Sequence, residues 1–427
     1  MSGIFGIYSA GDSGDGDTHI AKSIYYALYA LQHRGQKEAG IATLGKQGLW
    51  RHKGKGLVSE IFTQESIDRL VGSKGVGHVK YSFANEKKLP QVQPFTYNYP
   101  GKESALAVDG AFLHNDFVPQ DLLLKLDGDE SELLDYLQKL KGSYAIIHMT
   151  QKKVIAVRDP WGIKPLFVGE KNGITAFSSE SCAMDSLGIK DRRMLAPGEV
   201  FIQKGNTQTA HFLPSGKENF CAFEKIYIAR PDSIFGDTSI YNARFQMGAM
   251  LYDECKTEAD IVIGAPDSGL TAALGYAQRS GIQYREGIMK NRYVGRTFIA
   301  QTQEERDRAV FIKLNPIQAN LKNKRIILVD DSIVRGTTIK RTLDILRSAG
   351  ALEIHVRIAS PPVIKTCRIG IDIPDEADLI SSTHSVEEVR KTISADSLYF
   401  LSLDGLRKAC GGEHHCTACF DGQYPIR

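Results

Sequence analysis

The sequence predicts two unlike halves: an α+β domain of stacked antiparallel sheets, then an α/β domain built on a parallel, doubly wound sheet. Three observations carry this. Short strand candidates crowd the N-terminal half with only two helical segments among them, the pattern of packed antiparallel sheets. Between residues 241 and 360, helix and strand patterns alternate, which gives a parallel sheet with ligands at the carboxyl ends of its strands. Inside that alternation, Ile326, Ile327, Leu328 and Val329 run apolar without a period of two, as a strand covered on both faces does.

Taken in order, Gly3–Tyr8 opens as a strand. Ala21–Gly35 has the spacing of an amphipathic helix ending at Gly35. Strand candidates follow at Gly75–Ser82, Ala105–Gly110, Tyr144–Met149, Lys153–Asp159, Pro165–Gly169 and Ile174–Glu180, with a second helix at Asp129–Gly142. Residues 201 to 240 read as a bridge between the halves. Beyond it, Tyr241–Cys255 is helical, Asp260–Gly269 is a buried strand running into a Gly/Ser turn, and Leu270–Gly281 is a helix closed by its glycine. Ile339, Leu343, Ile345 and Leu346 share one face of a further helix, and Glu353–Pro362 supplies another strand.

The bulk numbers exclude several classes. A chain of 427 residues with 42% hydrophobic and 24% charged residues can bury a full core in two or three domains. A net charge of +3 is too small to imply nucleic acid, and no apolar run approaches a membrane span. The N-terminus lacks a basic region of the signal-peptide kind, so a cytoplasmic location is the default expectation. There the seven cysteines are free thiols or metal ligands rather than a disulfide framework.

Chemistry concentrates in four stretches. After the apolar strand come Asp330 and Asp331, then Ser332, Val334, Arg335, Gly336, Thr337 and Thr338 before the helix. Backbone N–H groups at a helix start attract an anion, and Gly336 lets the backbone approach it, so this is a phosphate cradle. The acid pair would repel a phosphate; it suits sugar hydroxyls, a hydrated Mg²⁺ or a developing positive charge. Asp267, Ser268 and Gly269 close the Gly264–Gly269 turn with small residues and one acid. Lys290–Ile299 packs cations, among them Lys290 and Arg296, and the aromatic Tyr293 around Val294-Gly295. Cys416 and Cys419 form a C-x-x-C that by itself suits zinc, iron–sulfur or redox chemistry, with His414 and His415 beside it as a zinc alternative.

The stretch Ile326–Thr338 resembles the ribose-phosphate loop of type I phosphoribosyltransferases. The resemblance implies that Asp330 and Asp331 hold the ribose hydroxyls, with Mg²⁺, and that the loop holds the 5-phosphate of phosphoribosyl pyrophosphate. Asp267–Gly269 then takes the place of the pyrophosphate loop. Lys290–Ile299 resembles the flexible loop that closes over this substrate in amidophosphoribosyltransferases, with Lys290, Tyr293 and Arg296 in it. The motifs at Leu31–Ile41, Gly77–Ser82, Arg158–Leu166, Ser178–Gly188 and Ala196–Glu199 resemble the N-terminal-nucleophile glutamine amidotransferase domain of the same family, implying that fold for residues 1–220 and a transferase domain for residues 221–427.

In that family residue 2 is a cysteine that attacks the glutamine amide. Here it is Ser2. The arginine that grips the glutamine carboxylate falls on Lys80, which lacks the bidentate fork. The oxyanion asparagine falls on Asp109, before Gly110, and a carboxylate there repels what a donor should stabilise. The aspartate for the glutamine amino group falls on Glu130. These departures imply a glutaminase fold without glutaminase chemistry. One branch of the family carries a structural four-iron cluster, and its four cysteine positions are filled here by Cys221, Cys367, Cys416 and Cys419. Cys182, Cys255 and Cys410 read as buried small hydrophobes. The expected function is transfer of an amine, ammonia in the family, to C1 of phosphoribosyl pyrophosphate by a homo-oligomer. Two alternatives stay open: a glutamine-dependent enzyme using Ser2, and a quiet regulator that binds the same substrate or nucleotides.

Overall fold

The apolar alternation of the N-terminal half resolves into two antiparallel sheets packed face to face. The computed structural model describes residues 2–9, 19–81, 92–99, 102–113, 119–126, 128–291 and 314–426. The strands are β1 (Ser2–Ser9), β2 (Glu38–Gly45), β3 (Gly48–Lys55), β4 (Lys74–Lys80), β5 (Phe95–Tyr99), β6 (Lys102–Phe112), β7 (Gly142–Thr150), β8 (Val154–Arg158), β9 (Phe167–Lys171), β10 (Ile174–Ser178), β11 (Asp191–Met194), β12 (Glu199–Lys204) and β13 (Thr207–Phe212). One sheet has the order β11-β9-β10-β1-β4-β2-β3 and the other β13-β12-β8-β7-β6-β5.

The period of two decides which side chains meet between them. Ile4 and Tyr8 of β1 and Val76 of β4 pack against Ala105 and Ala107 of β6 and Ala145 and Ile147 of β7. The same alternation sets Ser2, His78, Lys80, Asp109 and Ser143 on the facing surfaces. Helix α1 (His19–Ala30) covers the outer face of the first sheet through Ile20, Ile24 and Leu28. Helices α4 (Pro119–Leu126) and α5 (Glu130–Lys139) cover the second through Leu122, Leu126, Leu133 and Leu137.

Four short helices and six strands go beyond the expected pattern. The helices are α2 (Val58–Ile61), α3 (Gln64–Asp68), α4 and α6 (Ser181–Ser186), four to eight residues long and too short to show a 3.6-residue period. Of the six strands, β3, β5, β11 and β13 are sheet edges. An edge strand such as β13 is nearly all exposed and carries no alternation to read. Two strands, β12 and β13, occupy the start of the stretch expected to be a bridge. Helix α1 stops at Ala30, and a single tight turn over Gln32–Arg34 leads to Gly35.

The second half is the doubly wound sheet. Its strands β14 (Ile261–Gly264), β15 (Arg325–Asp330), β16 (Glu353–Ile358) and β17 (Ser397–Phe400) are parallel neighbours in that order. Helices α7 (Ile240–Glu254) and α8 (Leu270–Ser280) lie on one face, and α9 (Thr337–Ser348) and α10 (Val386–Ile393) on the other. The unbroken apolar run of β15 now has its reason. Ile327 and Val329 pack toward Ala273 and Tyr276 of α8, while Ile326 and Leu328 pack toward Ile339 and Leu343 of α9. Gly281, with φ of 76°, closes α8. Cys182 and Cys410 are buried as expected, but Cys255, at the end of α7, is only partly so. No helix among the described residues is long and apolar enough to cross a membrane.

Candidate active sites

The first site lies at the carboxyl end of β14 and β15. Asp331 is buried, and its carboxylate accepts two short hydroxyl hydrogen bonds, from Ser268 Oγ at 2.5 Å and Ser332 Oγ at 2.6 Å. The Asp331 N–H donates to Asp330 Oδ1 at 2.9 Å. Burial and the adjacent Asp331 charge hold the Asp330 carboxyl well above the ordinary carboxylate range. Two adjoining carboxylates of this kind are how Mg²⁺ is commonly held beside substrate oxygens.

The small residues around it follow from space. A Cβ on Gly269 would sit 2.5 Å from Val329 O and 3.0 Å from Asp330 Cα, so only glycine lets the first loop lie against the second. Gly336 has φ of 78° and turns the chain into α9, whose first residues are Thr337 and Thr338. Ile380 N donates to Val334 O at 3.0 Å, which anchors the outer wall of this loop. Arg335, exposed, pairs with Asp378 at 3.0 Å. Lys290 ends a short strand, Ile288–Lys290, that pairs with Leu314–Pro316, and its Nζ lies 2.5 Å from Asp267 Oδ2. The fold thus gathers Asp267, Ser268, Gly269, Lys290, Asp330, Asp331 and Ser332. Tyr293 and Arg296 lie outside the described residues.

The second site, at the sheet ends around Ser2, is filled by charge. Arg34 is wholly buried: Nε donates to Ser2 O at 2.9 Å, Nη1 to Glu180 at 2.7 Å and Glu224 at 2.8 Å, and Nη2 to Glu224 at 2.7 Å and Asp109 at 3.3 Å. Lys164 Nζ lies 3.4 Å from Asp109 Oδ1 and 3.9 Å from Glu224 Oε1. His33 Nε2 is 2.7 Å from Glu180, whose other oxygen accepts from Arg230 N at 3.0 Å and Ser233 Oγ at 2.8 Å.

Burial works to raise the Asp109 pKa, but Lys164 and Arg34 outweigh it and keep the carboxylate below its ordinary value. Burial likewise opposes the charge on Lys164, and Asp109 and Glu224 outweigh it, so the ammonium is held charged above its usual range. For Glu180, burial is overcome by His33 and then Arg34, and its pKa falls well below normal. Lys80, buried, stands opposite Ser2 in the β1–β4 register. Glu130 is not part of this cluster; it is half exposed in the first turn of α5, 3.4 Å from His211 Nε2. Sequence reasoning overlooked Glu180, Glu224 and Lys164. The available signal was charge set inside small and apolar runs, as at Ala222–Ile228.

The third site is a cavity between the halves. Cys221, Cys367, Cys416 and Cys419 all line it, with four isoleucines, Phe223, Ala418, Tyr424 and Lys164. Cys221 and Cys416 are register partners in a two-residue parallel ribbon, and Ile371 N donates to Cys367 Sγ at 3.4 Å. Burial pushes the Cys416 thiol up to about 12 and the Cys221 and Cys419 thiols well above their ordinary value. The donor set fits a thiolate-bound metal centre: one lysine cannot balance four thiolates, and a metal centre would supply the remaining positive charge. No set of three or more His, Cys, Asp or Glu among the described residues is arranged around a single ion. His414 and His415 are not in the lining; His415 Nδ1 lies 3.0 Å from Gly412 O.

These two folds and their loops agree with known proteins. The glutamine amidotransferase domain family matches residues 96–186, and the phosphoribosyl transferase domain family matches residues 245–360. An amidotransferase fold joined to a phosphoribosyltransferase fold defines a class of pentosyltransferase enzymes. Across 99% of its length the chain is 41% identical to the amidophosphoribosyltransferase of Methanothermobacter thermautotrophicus, covering 94% of that protein. It is 38% identical to the Bacillus subtilis enzyme, with 99% and 94% of the two chains covered. The solved glutamine phosphoribosylpyrophosphate amidotransferase of B. subtilis, complexed with ADP and GMP, superposes with a TM-score of 0.90 at 36% identity, covering 100% of this chain and 97% of that one. The chain belongs to the amidophosphoribosyltransferase family.

Proposed function

We propose that this enzyme uses ammonia directly to convert phosphoribosyl pyrophosphate into 5-phosphoribosylamine and pyrophosphate, its glutaminase chemistry having been lost. Residues 1–220 form the silent glutaminase domain and residues 221–427 the transferase domain. The observation that carries the reading is Asp109. An ionised carboxylate, paired with Lys164 and Arg34, stands where the family's oxyanion donor belongs. Losing one such donor costs about 3 to 4 kcal/mol of transition-state stabilisation, and reversing its charge costs more. Ser2 removes the thiol and Lys80 the carboxylate fork, so binding, attack and stabilisation are all affected.

In the transferase half, Asp330 and Asp331 anchor the ribose hydroxyls, and Ser268 and Ser332 fix the Asp331 carboxylate in place. Ser332, Val334, Arg335, Gly336, Thr337 and Thr338 cradle the 5-phosphate at the start of α9. Asp267, Ser268 and Gly269 line the pyrophosphate, and Lys290, Tyr293 and Arg296 close over it. Ammonia's lone pair forms the bond to C1 as the bond from C1 to the pyrophosphate oxygen breaks; the electron pair leaves with pyrophosphate and the surplus proton goes to solvent. The transition state is cation-like at C1, so the protein's task is positioning and electrostatics. Asp330 and Asp331 would also hold Mg²⁺, which when bound would offset the negative charge that builds on the departing pyrophosphate.

Cys221, Cys367, Cys416 and Cys419 hold a structural 4Fe-4S cluster. That all four line one cavity supports reading them as ligands of one centre. A cytoplasmic location and a homo-oligomeric state follow the family. The test is pyrophosphate release with ammonia and with glutamine, side by side. Ammonia should support turnover and glutamine should not; equal turnover from glutamine overturns the reading.

A further inference from the structure

Lys164 belongs to two sites at once. Its Nζ is 3.4 Å from Asp109 in the old glutaminase pocket, and its side chain lines the cavity of the four cysteines. Among the described residues lining that cavity it alone is charged. The segment carrying Cys367 is shaped around it: Lys164 Nζ donates to Gly370 O at 3.3 Å. A Cβ on Gly370, whose φ is 106°, would lie 3.1 Å from Lys164 Cε. The adjoining Ile163 O accepts from Cys221 N at 3.3 Å. The residue that departs most from glutaminase chemistry therefore holds the cation that, among the described residues, lines the cavity of the thiols.

We infer that Lys164 is a positioning residue of the four-cysteine site, the positive charge the N-terminal domain sets against it, and that Asp109 fixes and partly offsets that charge. The inference rests on reading the cysteines as the cluster site. A buried cation beside an anionic centre favours the added electron, and a buried carboxylate opposes it; low dielectric makes both effects large. Asp109 has thus exchanged a role in glutamine chemistry for one in tuning a metal centre across the domain boundary.

The test uses full-length protein purified without oxygen, with iron content, visible and electron paramagnetic resonance spectra, and midpoint potential as readouts. Lys164→Met should shift the potential to more negative values and Asp109→Asn to more positive ones. Each shift should be on the order of tenfold in the reduced-to-oxidised ratio at fixed poise, about 59 mV for a one-electron couple. Lys164→Arg should stay near wild type. The double variant Lys164→Met/Asp109→Asn, which buries no orphan charge, should fall between the two singles. It decides the matter through its iron content and potential if Lys164→Met alone fails to fold. Iron-loaded variants with one common potential, or singles that shift in the same direction, overturn the inference and leave the cluster reading intact. Wild-type protein that holds no iron while the cysteines are intact overturns both.

Discussion

Two groups of carboxylates, one at the end of β15 and one around Arg34, have been treated differently. Asp330 and Asp331 meet at the end of β15 with hydroxyl and backbone donors around them, and no lysine or arginine among the described residues is ion-paired to either. Asp109, Glu180 and Glu224 converge with Arg34 and Lys164 already in place. An acid pair with no ion-paired cation among the described residues is poised for a ligand that brings one. A buried acid cluster that the protein neutralises itself has become part of the fold. On the proposed function, the first region keeps its chemistry and the second gives it up for internal ion pairing.

The comparison is broken most severely at Asp331. Asp331→Ala should lower pyrophosphate release by about a thousandfold, the scale of losing one preorganised electrostatic group, while the melting temperature stays near wild type. Undiminished turnover would place the ribose elsewhere. The mirror experiment is Arg34→Met. It leaves three buried carboxylates with Lys164 and His33 beside them and should cost about 3 to 5 kcal/mol of stability, read by chemical denaturation. A variant as stable as wild type would show the cluster to be dispensable.

Acid titration sharpens the same contrast. The folded-state pKa values of Asp109 and Glu180 are depressed, so their stabilisation is present above the unfolded carboxylate values, about pH 4, and is lost as pH falls through the folded values. The Lys164 pKa is raised, so its contribution is full below about pH 10 and is lost as pH rises beyond that. Asp109→Asn should therefore flatten the acid limb of a stability-versus-pH curve measured by thermal melting. An unchanged acid limb would show that Asp109 carries no such linkage.

Smallest in effect is Ser268→Ala, which removes one of the two hydroxyls on Asp331. It should lower kcat/KM for phosphoribosyl pyrophosphate by about tenfold to a hundredfold, the value of a hydrogen bond to a charged group. A loss as large as that of Asp331→Ala would mean that Ser268 itself touches the reacting atoms.

How much the sequence revealed depended on how local the signal was. The strand, acid pair, glycine and helix start of the transferase loop lie within Arg325–Thr338, and each has a physical signature of its own, so the structure returned the arrangement nearly residue by residue. The two-faced burial of β15 was legible because four consecutive apolar residues in a strand put two side chains on each face, and both faces then need cover. The ion cluster was not legible as a cluster, because Arg34, Asp109, Lys164, Glu180 and Glu224 come from five separate stretches and meet only when both sheets and the transferase domain are assembled. The edge strand β13 escaped because solvent on both faces removes the alternation. Glu130, expected near the glutamine amino group, sits half exposed beside His211, which sequence position alone gave no means of seeing.

The central claim is that the pocket around Ser2 has lost glutaminase chemistry at several steps at once, not at the nucleophile alone. Ammonia release from glutamine, measured in wild type, Ser2→Cys and the triple variant Ser2→Cys/Lys80→Arg/Asp109→Asn, tests it most directly. Groups that act as a unit are strongly non-additive, so wild type and Ser2→Cys should both stay at background and only the triple variant should rise above it. Ordinary glutaminase turnover in Ser2→Cys alone would contradict the account, because it would show that the ionised Asp109 and its partners had left a working pocket behind.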